Sequence, residues 1–94
     1  MSEQLIEKFK QELNYRLSIK ETKRNSPSKI LLEGFKYYDL PGKGLANYNM
    51  FLMVVKIRLG INIFNEEQFT LIFNYFLSKL PQEENKFYYR DFVT

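Results

Sequence analysis

Residues 35–51 read FKYYDLPGKGLANYNMF and place a tight turn between two predicted helices. A helix that begins near residue 27 cannot continue far past Asp39, because Pro41 and the glycines after it interrupt the helical pattern. Asn47 is a typical N-cap residue, so the next helix is predicted to begin there. The stretch therefore predicts a helix, a short loop and a second helix.

The chain before this loop predicts two helices. Apolar residues at spacings of three and four form one stripe on the first helix: Leu5, Ile6, Phe9, Leu13 and Leu17. A polar break follows, and Ser26 with Pro27 is typical of the N-cap and first position of a second helix. We therefore divide the chain into an N-terminal amphipathic helix and linker, residues 1–25, and a main domain, residues 26–94.

The chain after the loop predicts two more helices. The third ends at Gly60, which suits the left-handed conformation of a residue that follows a helix. The fourth has the clearest start signal, with Asn65 as N-cap and Gln68 as its capping-box partner. Phe64 is placed to pack against Phe69 across that start.

The end of the chain is predicted to be less regular. Pro81 ends the fourth helix, and the polar residues 82–85 are predicted to form a solvated loop. Residues 86–94 begin with an aromatic, β-prone run and end in a segment that suits the first turn of another helix.

The composition excludes several classes of function. The 94 residues suffice for one small domain, and they include no cysteine and no histidine, which excludes disulfides, thiolate zinc sites and imidazole catalysis. The net charge of +3 is spread along the chain, which predicts weak attraction to an acidic partner and no nucleic-acid binding. The sequence has neither a signal-peptide pattern nor an apolar run of membrane-spanning length. We therefore expect an intracellular protein that is not an enzyme, needs no cofactor and does not insert into a membrane.

The first loop resembles that of the EF-hand superfamily. Gly44 follows Asp39 by five residues, apolar residues come next at 45–46, and Phe35 and Phe51 flank the loop in the two helices. The preceding long helix makes the chain most similar to calcyphosin-type and related cytoskeletal or ciliary EF-hand proteins.

The second half of the chain carries a weaker copy of the same pattern. Residues 65–73 resemble the entering helix of a second hand, and residues 87–92, FYYRDF, resemble the end of its loop. The resemblance implies an all-α fold: an EF-hand-like helix-loop-helix pair, an extra N-terminal helix and a very short antiparallel β ribbon between the loops. The first hand would span residues 26–60 and the second residues 61–94, with a truncated exiting helix.

The first loop lacks most of the oxygen ligands that calcium needs. An EF-hand loop supplies ligands from positions one, three, five, seven, nine and twelve. Asp39 fills position one and Asn47 could serve at nine. Positions three, five and twelve hold Pro41, Lys43 and Met50, which offer no side-chain oxygen and add one positive charge. The sequence therefore predicts that this loop does not bind calcium.

The second loop is a poorer candidate still. If Phe76 ends its entering helix, the loop from Leu77 to Asp91 is about three residues longer than the usual twelve. Glu83 and Glu84 could attract a cation loosely, but a solvated acidic turn is the favoured interpretation. No bound metal is expected, and the vestigial loop positions are Asp39, Asn47 and Asp91.

The fourth helix presents an apolar row that has to be covered: Phe69, Ile72, Phe73 and Phe76. An exposed row of this kind would mark an interface. Three arrangements would cover it: the N-terminal helix folds back, a partner's amphipathic helix binds, or the chain belongs to a longer protein. The predicted partner-binding residues are therefore this row together with Phe9 and Leu13.

Other interpretations of the sequence are weaker. The GKG at 42–44 follows a helix and lacks the Lys-Ser or Lys-Thr ending of a phosphate-binding loop. The basic residues of the first helix are interleaved with Glu7 and Glu12, which favours a solvated face over one that binds tubulin or nucleic acid. The tyrosines near the loops favour packing around the ribbon over base stacking. Adjacent acids such as 66–67 point apart on a helix and have no nucleophile beside them.

The sequence thus predicts a calcium-independent structural or adaptor subunit. The resemblance implies a protein partner, either an amphipathic helix or a cytoskeletal surface such as a microtubule or axoneme, within a larger assembly. A myosin light-chain-like protein or a calcium sensor is the alternative. The expected location is the cytoskeleton or the axoneme of a cilium.

Overall fold

The computed structural model describes residues 2–93, so Met1 and Thr94, the ends of the predicted ranges, lie outside the described part. The fold is mostly helical, with a small antiparallel sheet. The elements are α1 (Ser2–Lys20), α2 (Pro27–Tyr38), β1 (Leu45–Ala46), α3 (Tyr48–Leu52), a π-helix (Met53–Arg58), α4 (Glu66–Lys79), β2 (Gln82–Glu83), β3 (Lys86–Tyr88) and α5 (Tyr89–Val93). Within these residues, no helix combines the length and the apolar character that crossing a bilayer requires.

The helices begin where the capping residues predict. The Ser26 and Asn47 side chains each accept a hydrogen bond from the amide nitrogen three residues later, at 3.3 and 2.8 Å. At the start of α4, the Asn65 side-chain oxygen accepts from the Gln68 backbone nitrogen at 2.8 Å. The Gln68 side-chain oxygen accepts from the Asn65 backbone nitrogen at 3.0 Å, which completes the capping box. These bonds satisfy amides that have no partner within a helix, so the predicted helix starts are confirmed.

The third predicted helix changes its pitch along its length. It is α-helical for five residues and then continues as the π-helix, in which Leu59 N donates to Val54 O, five residues back, at 3.0 Å. The apolar spacing of residues 51–59 also fits an α-helix, so the wider turn could not be predicted from periodicity. Gly60 follows with φ +76°, as predicted for a residue that ends a helix.

The sheet has three strands in the order β1-β3-β2. Leu45 pairs with Tyr88 and Ala46 with Phe87, which confirms the predicted antiparallel ribbon between the loops. The prediction of a solvated loop at 82–85 is wrong for its first two residues, because β2 pairs with β3.

A two-residue turn joins β2 to β3. Glu84 and Asn85 both have positive φ, +52° and +62°, which matches a hairpin turn of the primed type. Such turns usually carry glycine at the second position. Because Asn85 stands there instead, the sequence signal for this hairpin was weak.

The strand register relates two helix-loop-helix units within the chain. Phe87 lies 41 positions after Ala46, its strand partner. The same offset relates Phe35 to Phe76 and Phe51 to Phe92, the aromatic residues that flank the two loops. Three positions of the two units, in and around their loops, therefore correspond at one constant offset.

The second loop is shorter than its sequence predicts. The prediction that it begins at Leu77 is wrong, because α4 continues to Lys79 and only Leu80 leaves the helical conformation. The Gln82 side chain donates to Leu77 O, a backbone carbonyl of the last turn of α4, at 2.9 Å. We call residues 39–50 the first loop and residues 80–91 the second loop. Each has twelve residues.

The core consists largely of phenylalanine. Five of these side chains are almost fully buried: Phe9, Phe35, Phe51, Phe69 and Phe87. The Phe92 ring of α5 lies within 6.0 Å of four others, measured between centroids, those of Phe35, Phe51, Phe76 and Phe87. Aromatic pairs in tilted and edge-on contact stabilise such a core beyond the area that they bury. The two loops therefore lie against a shared aromatic core to which both units contribute.

Candidate site at the paired loops

Asp39 is the centre of the first loop. It directly follows α2, and its carboxylate accepts hydrogen bonds from Gly42 N at 3.1 Å, from Gly44 N at 2.8 Å and from the Tyr89 hydroxyl at 2.7 Å. Two of these donors belong to the loop itself, and the third comes from α5, fifty residues away along the chain. The carboxylate thus connects its own loop to the end of the other unit.

The two glycines give the first loop its shape. Gly42 has φ +69° and Gly44 has φ +78°, in the left-handed region that favours glycine. A Cβ atom at either position would meet no other atom within 4 Å. Glycine is therefore favoured here for its backbone conformation, which directs both amides towards Asp39.

Tyr89 joins the second loop to the first. Its ring is buried and stacks on Phe35, with centroids 5.3 Å apart and planes 6° from parallel. Its backbone nitrogen donates to Gly44 O at 3.2 Å, while its hydroxyl donates to Asp39. The residue therefore contacts the first loop through both its backbone and its side chain.

The contact between Asp39 and Tyr89 changes the pKa of both groups. Burial raises the pKa of Tyr89, and the hydrogen bond to the Asp39 carboxylate adds to the rise, which takes the pKa to about 12. Burial alone would raise the pKa of Asp39 as well, but hydrogen bonds from Tyr89 and from backbone amides outweigh it and lower that pKa below 3.8. At neutral pH the pair is a carboxylate that accepts from a neutral phenol.

An open pocket of about 540 Å³ lies beside this contact. Lys36, Lys43 and Arg90 line it together with the carboxylates of Asp39 and Asp91. Three positive side chains around two carboxylates make the pocket unfavourable for a divalent cation. Across residues 2–93, the side chains form no group of three or more acids that could hold a metal ion.

Asp39 lines one pocket with Asp91 and a second pocket with Asn47. The Asn47 side chain is engaged in capping α3. Tyr89 is the site residue that the sequence did not single out. Tyr89 belongs to the aromatic run after residue 86, which was predicted only to pack around the ribbon. Its bond to Asp39 forms because the two loops, which are distant in the sequence, pair in the fold.

The predicted partner-binding residues lie mainly inside the protein. Phe69, Ile72, Phe73 and Phe9 are buried, and Phe76 and Leu13 are half-buried. The N-terminal helix α1 folds back over α4, the first of the three arrangements considered above. The Phe9 ring contacts Phe51, Phe64 and Phe76, with centroids 5.7, 6.2 and 5.8 Å apart. These residues therefore do not form an exposed groove.

A different set of large apolar side chains is exposed: Tyr15, Ile19, Tyr37, Leu40, Met53, Ile57, Ile63 and Leu71. Met53 and Ile57 are exposed on the π-helix, whereas Val54 and Val55 of the same helix are buried. The sequence contained this signal, since the apolar spacing of the third helix leaves both residues off its inward side.

Comparison of the chain with protein-family models, with curated proteins and with solved structures gave no match. Function is therefore inferred from two features of the molecule: the paired loops and the exposed apolar surface.

Proposed function

We propose that this protein is a calcium-independent structural or adaptor subunit with a degenerate EF-hand-like pair, which binds a helix of a partner protein. Support for the architecture comes from two loops of equal length that are joined by a short ribbon and flanked by equivalent phenylalanines. The spacing from Asp39 to Gly44 in the first loop is also that of an EF-hand-like loop and supports the same architecture.

One observation carries the proposal of calcium independence, namely that protein groups satisfy the Asp39 carboxylate. Amides of its own loop and the Tyr89 hydroxyl donate to it at 2.7 to 3.1 Å. Lys43, at the fifth position of the loop, brings a positive charge to the same pocket. Since the loop conformation is held by these bonds, no cation is needed to organise it.

Support for a binding role comes from the large apolar side chains that stand exposed on the surface, several of them by more than half. The resemblance to cytoskeletal and ciliary EF-hand proteins supports a location in the cytoskeleton or axoneme. We therefore infer a constitutive component of a larger assembly.

Calcium independence is tested by recording backbone amide NMR spectra and thermal unfolding of the full chain in calcium and in excess chelator. We expect both spectra and both melting temperatures to coincide. A ligand that binds only the folded state raises its melting temperature, so a rise of several degrees in calcium would overturn the proposal. Magnesium serves as the control for non-specific effects of divalent ions.

The partner is sought by affinity capture of the tagged chain from native extract, in parallel with calcium and with chelator. We expect the same proteins in both samples. Tubulin or axonemal proteins would support the cytoskeletal location, whereas a myosin heavy chain would favour the light-chain alternative. Capture that requires calcium would contradict the proposed function.

A further inference from the structure

We propose that the exposed side of the π-helix binds an acidic amphipathic helix of another protein. This inference rests on the proposed function, since it names the surface and the chemistry of the helical partner. We define the surface by its five residues and call it the π-helical face: Tyr37, Met53, Lys56, Ile57 and Arg58.

The apolar part of the π-helical face is unusually open to solvent. Ile57 is 65% exposed, Tyr37 67% and Met53 46%. Met53 and Ile57 stand four positions apart on one helix, a spacing that places neighbouring side chains side by side. Large apolar groups that adjoin on a surface mark an interaction site more strongly than isolated ones do.

Tyr37 belongs to the same face although it lies on α2. The Arg58 guanidinium lies over the Tyr37 ring at 5.3 Å from its centroid. The Arg58 stem passes close to Gly34, where Cδ would be 3.2 Å from an added Cβ atom. The small residue at 34 therefore lets Arg58 lie across α2 and link the tyrosine to the π-helix.

The face stands on a rigid support. Val54 and Val55, on the inward side of the π-helix, are fully buried in the core. Lys56 extends towards the start of α4, where its Nζ lies 6.0 Å from the centroid of the Phe69 ring. Side chains on a packed helix are already positioned for binding, which lowers the entropy lost when a partner docks.

The charges of the face specify the partner. Lys56 and Arg58 belong to a helical stretch, residues 48–58, that contains no Asp or Glu, and the acid of α2 nearest to this surface is Glu33, four positions before Tyr37. Among residues 2–93, one ion pair is formed, between Arg16 and Glu12, so neither cation of the face has a carboxylate within 4 Å. A partner helix with acids beside its apolar stripe would supply the missing charges.

A second exposed pair provides a built-in comparison. Tyr15 and Ile19 on α1 are also four positions apart and are 58% and 60% exposed. Their neighbour Arg16 is already paired with Glu12 at 3.0 Å. This pair matches the π-helical face in spacing and exposure, but Arg16, the cation that lies over the Tyr15 ring, already has a carboxylate partner. Substituting it therefore provides the matched control.

An anionic membrane is the less favoured occupant of the face. Each Lys or Arg contributes only about 1 kcal/mol of attraction at an anionic bilayer surface, and the face has two. An acidic amphipathic helix would contact the three apolar side chains as well as the two cations, so it uses more of the face than the charge attraction of a membrane does.

The proposal is tested by selection from a display library of helical peptides about 16 residues long, with the full chain in chelator as the target. Every peptide has apolar residues at positions i and i+4. At its remaining positions, acidic, basic and neutral residues are all allowed. We expect the selected peptides to be enriched in Asp and Glu. Enrichment in Lys and Arg, or the absence of any selected peptide, would overturn the proposal.

Variants of the full chain then locate the binding surface for the tightest selected peptide. The double variant Met53→Ser with Ile57→Ser is expected to weaken binding by about tenfold or more, as is typical when central apolar contacts are removed. Lys56→Glu with Arg58→Glu should weaken it comparably and reverse its dependence on salt. Tyr15→Ser with Ile19→Ser should leave the affinity within about twofold, because α1 lies outside the site. Thermal unfolding of each variant checks that it remains folded.

The outcomes separate this inference from the proposed function. Binding in chelator that none of the π-helical variants weakens would overturn the surface and leave the proposed function standing. Binding that appears only with calcium would overturn the proposed function. The chain could instead bind vesicles of anionic lipid and no peptide, or it could self-associate in a way that Ile57→Ser abolishes. Either result would replace the acidic helix with another occupant and so overturn the proposal.

Discussion

The two loops have the same length and equivalent positions, yet different groups close them. In the first loop, the Asp39 carboxylate gathers the amides of two glycines. In the second loop, Leu80 stands at the equivalent position and has no side-chain oxygen. That loop closes through a β-hairpin that turns at Glu84 and Asn85. One helix-loop-helix plan is thus stabilised by side chain-to-backbone bonds in one unit and by backbone pairing in the other.

The largest effect is expected where the loops meet in the core. Phe87 is fully buried and pairs across the sheet with Ala46, its equivalent in the first loop. Replacing Phe87 by alanine should lower the free energy of unfolding by about 3 to 5 kcal/mol, the usual cost of truncating a buried phenylalanine. Urea unfolding measures the change, with exposed Tyr37→Ala as the control, for which we expect less than about 1 kcal/mol. Equal losses in the two variants would contradict the central place of Phe87.

The next effect separates two tyrosine hydroxyls that both bond a carboxylate. Tyr89→Phe removes the bond to Asp39 from a buried ring and should reduce the free energy of unfolding by about 2 kcal/mol. Tyr88→Phe removes an exposed bond to Glu83 and should leave the free energy of unfolding nearly unchanged. Both are measured by urea unfolding. If Tyr89→Phe were as mild as Tyr88→Phe, the contact between the loops would not stabilise the fold.

A smaller effect compares the left-handed residues of the two loops. Gly44→Ala, at φ +78°, should lower the free energy of unfolding by about 1 kcal/mol, because a side chain disfavours this conformation. Asn85→Gly, at the equivalent position with φ +62°, should leave stability unchanged or raise it by a few tenths, about 0.5 kcal/mol at most. Thermal unfolding detects both changes, and shifts of the same sign would show that the two turns are not equivalent.

The pH dependence of stability follows from the same contact. The pKa of Tyr89 rises from 10.0 to about 12 on folding, so its stabilising contribution is complete below pH 10 and is lost as the pH rises through 12. The free energy of unfolding of the wild type should therefore fall more steeply over this interval than that of Tyr89→Phe. Parallel curves in chemical unfolding at successive pH values would contradict the contact.

Asp39 gives the opposite sign at acid pH. Its pKa is lowered on folding, so its contribution is present above pH 3.8 and is lost as the pH falls through the lower folded value. The variant Asp39→Asn should remove this dependence, which chemical unfolding across the acid range measures. An unchanged acid dependence in the variant would assign the effect to other carboxylates.

Local signals in the sequence predicted local features of the structure. The N-caps Ser26, Asn47 and Asn65 and the ending at Gly60 each depend on a few adjacent residues, and the structure confirms all four. The β1–β3 ribbon was also predicted, because the resemblance of the first loop implies that the apolar residues after Gly44 pair with a second loop.

Features that depend on distant residues could not be predicted in the same way. The bond from Tyr89 to Asp39 crosses fifty residues, and no periodicity encodes it. The apolar row of α4 required a cover, but its sequence could not choose between α1 and a partner, because a helix stripe is the same whichever helix it faces. The contacts of Phe9 make that choice only in the folded chain.

The shared sheet has a consequence for how the chain folds. β1 contains only two residues, and its hydrogen-bonded neighbour is supplied by residues 86–88 of the other unit. A fragment that ended at Gly60 would lack both that neighbour and the hydroxyl that completes the bonds to Asp39. The first unit therefore lacks part of the bonding that holds its loop until residues 86–89 are present. Unfolding should accordingly be a single cooperative transition, and closure of this long connection is expected to limit the folding rate.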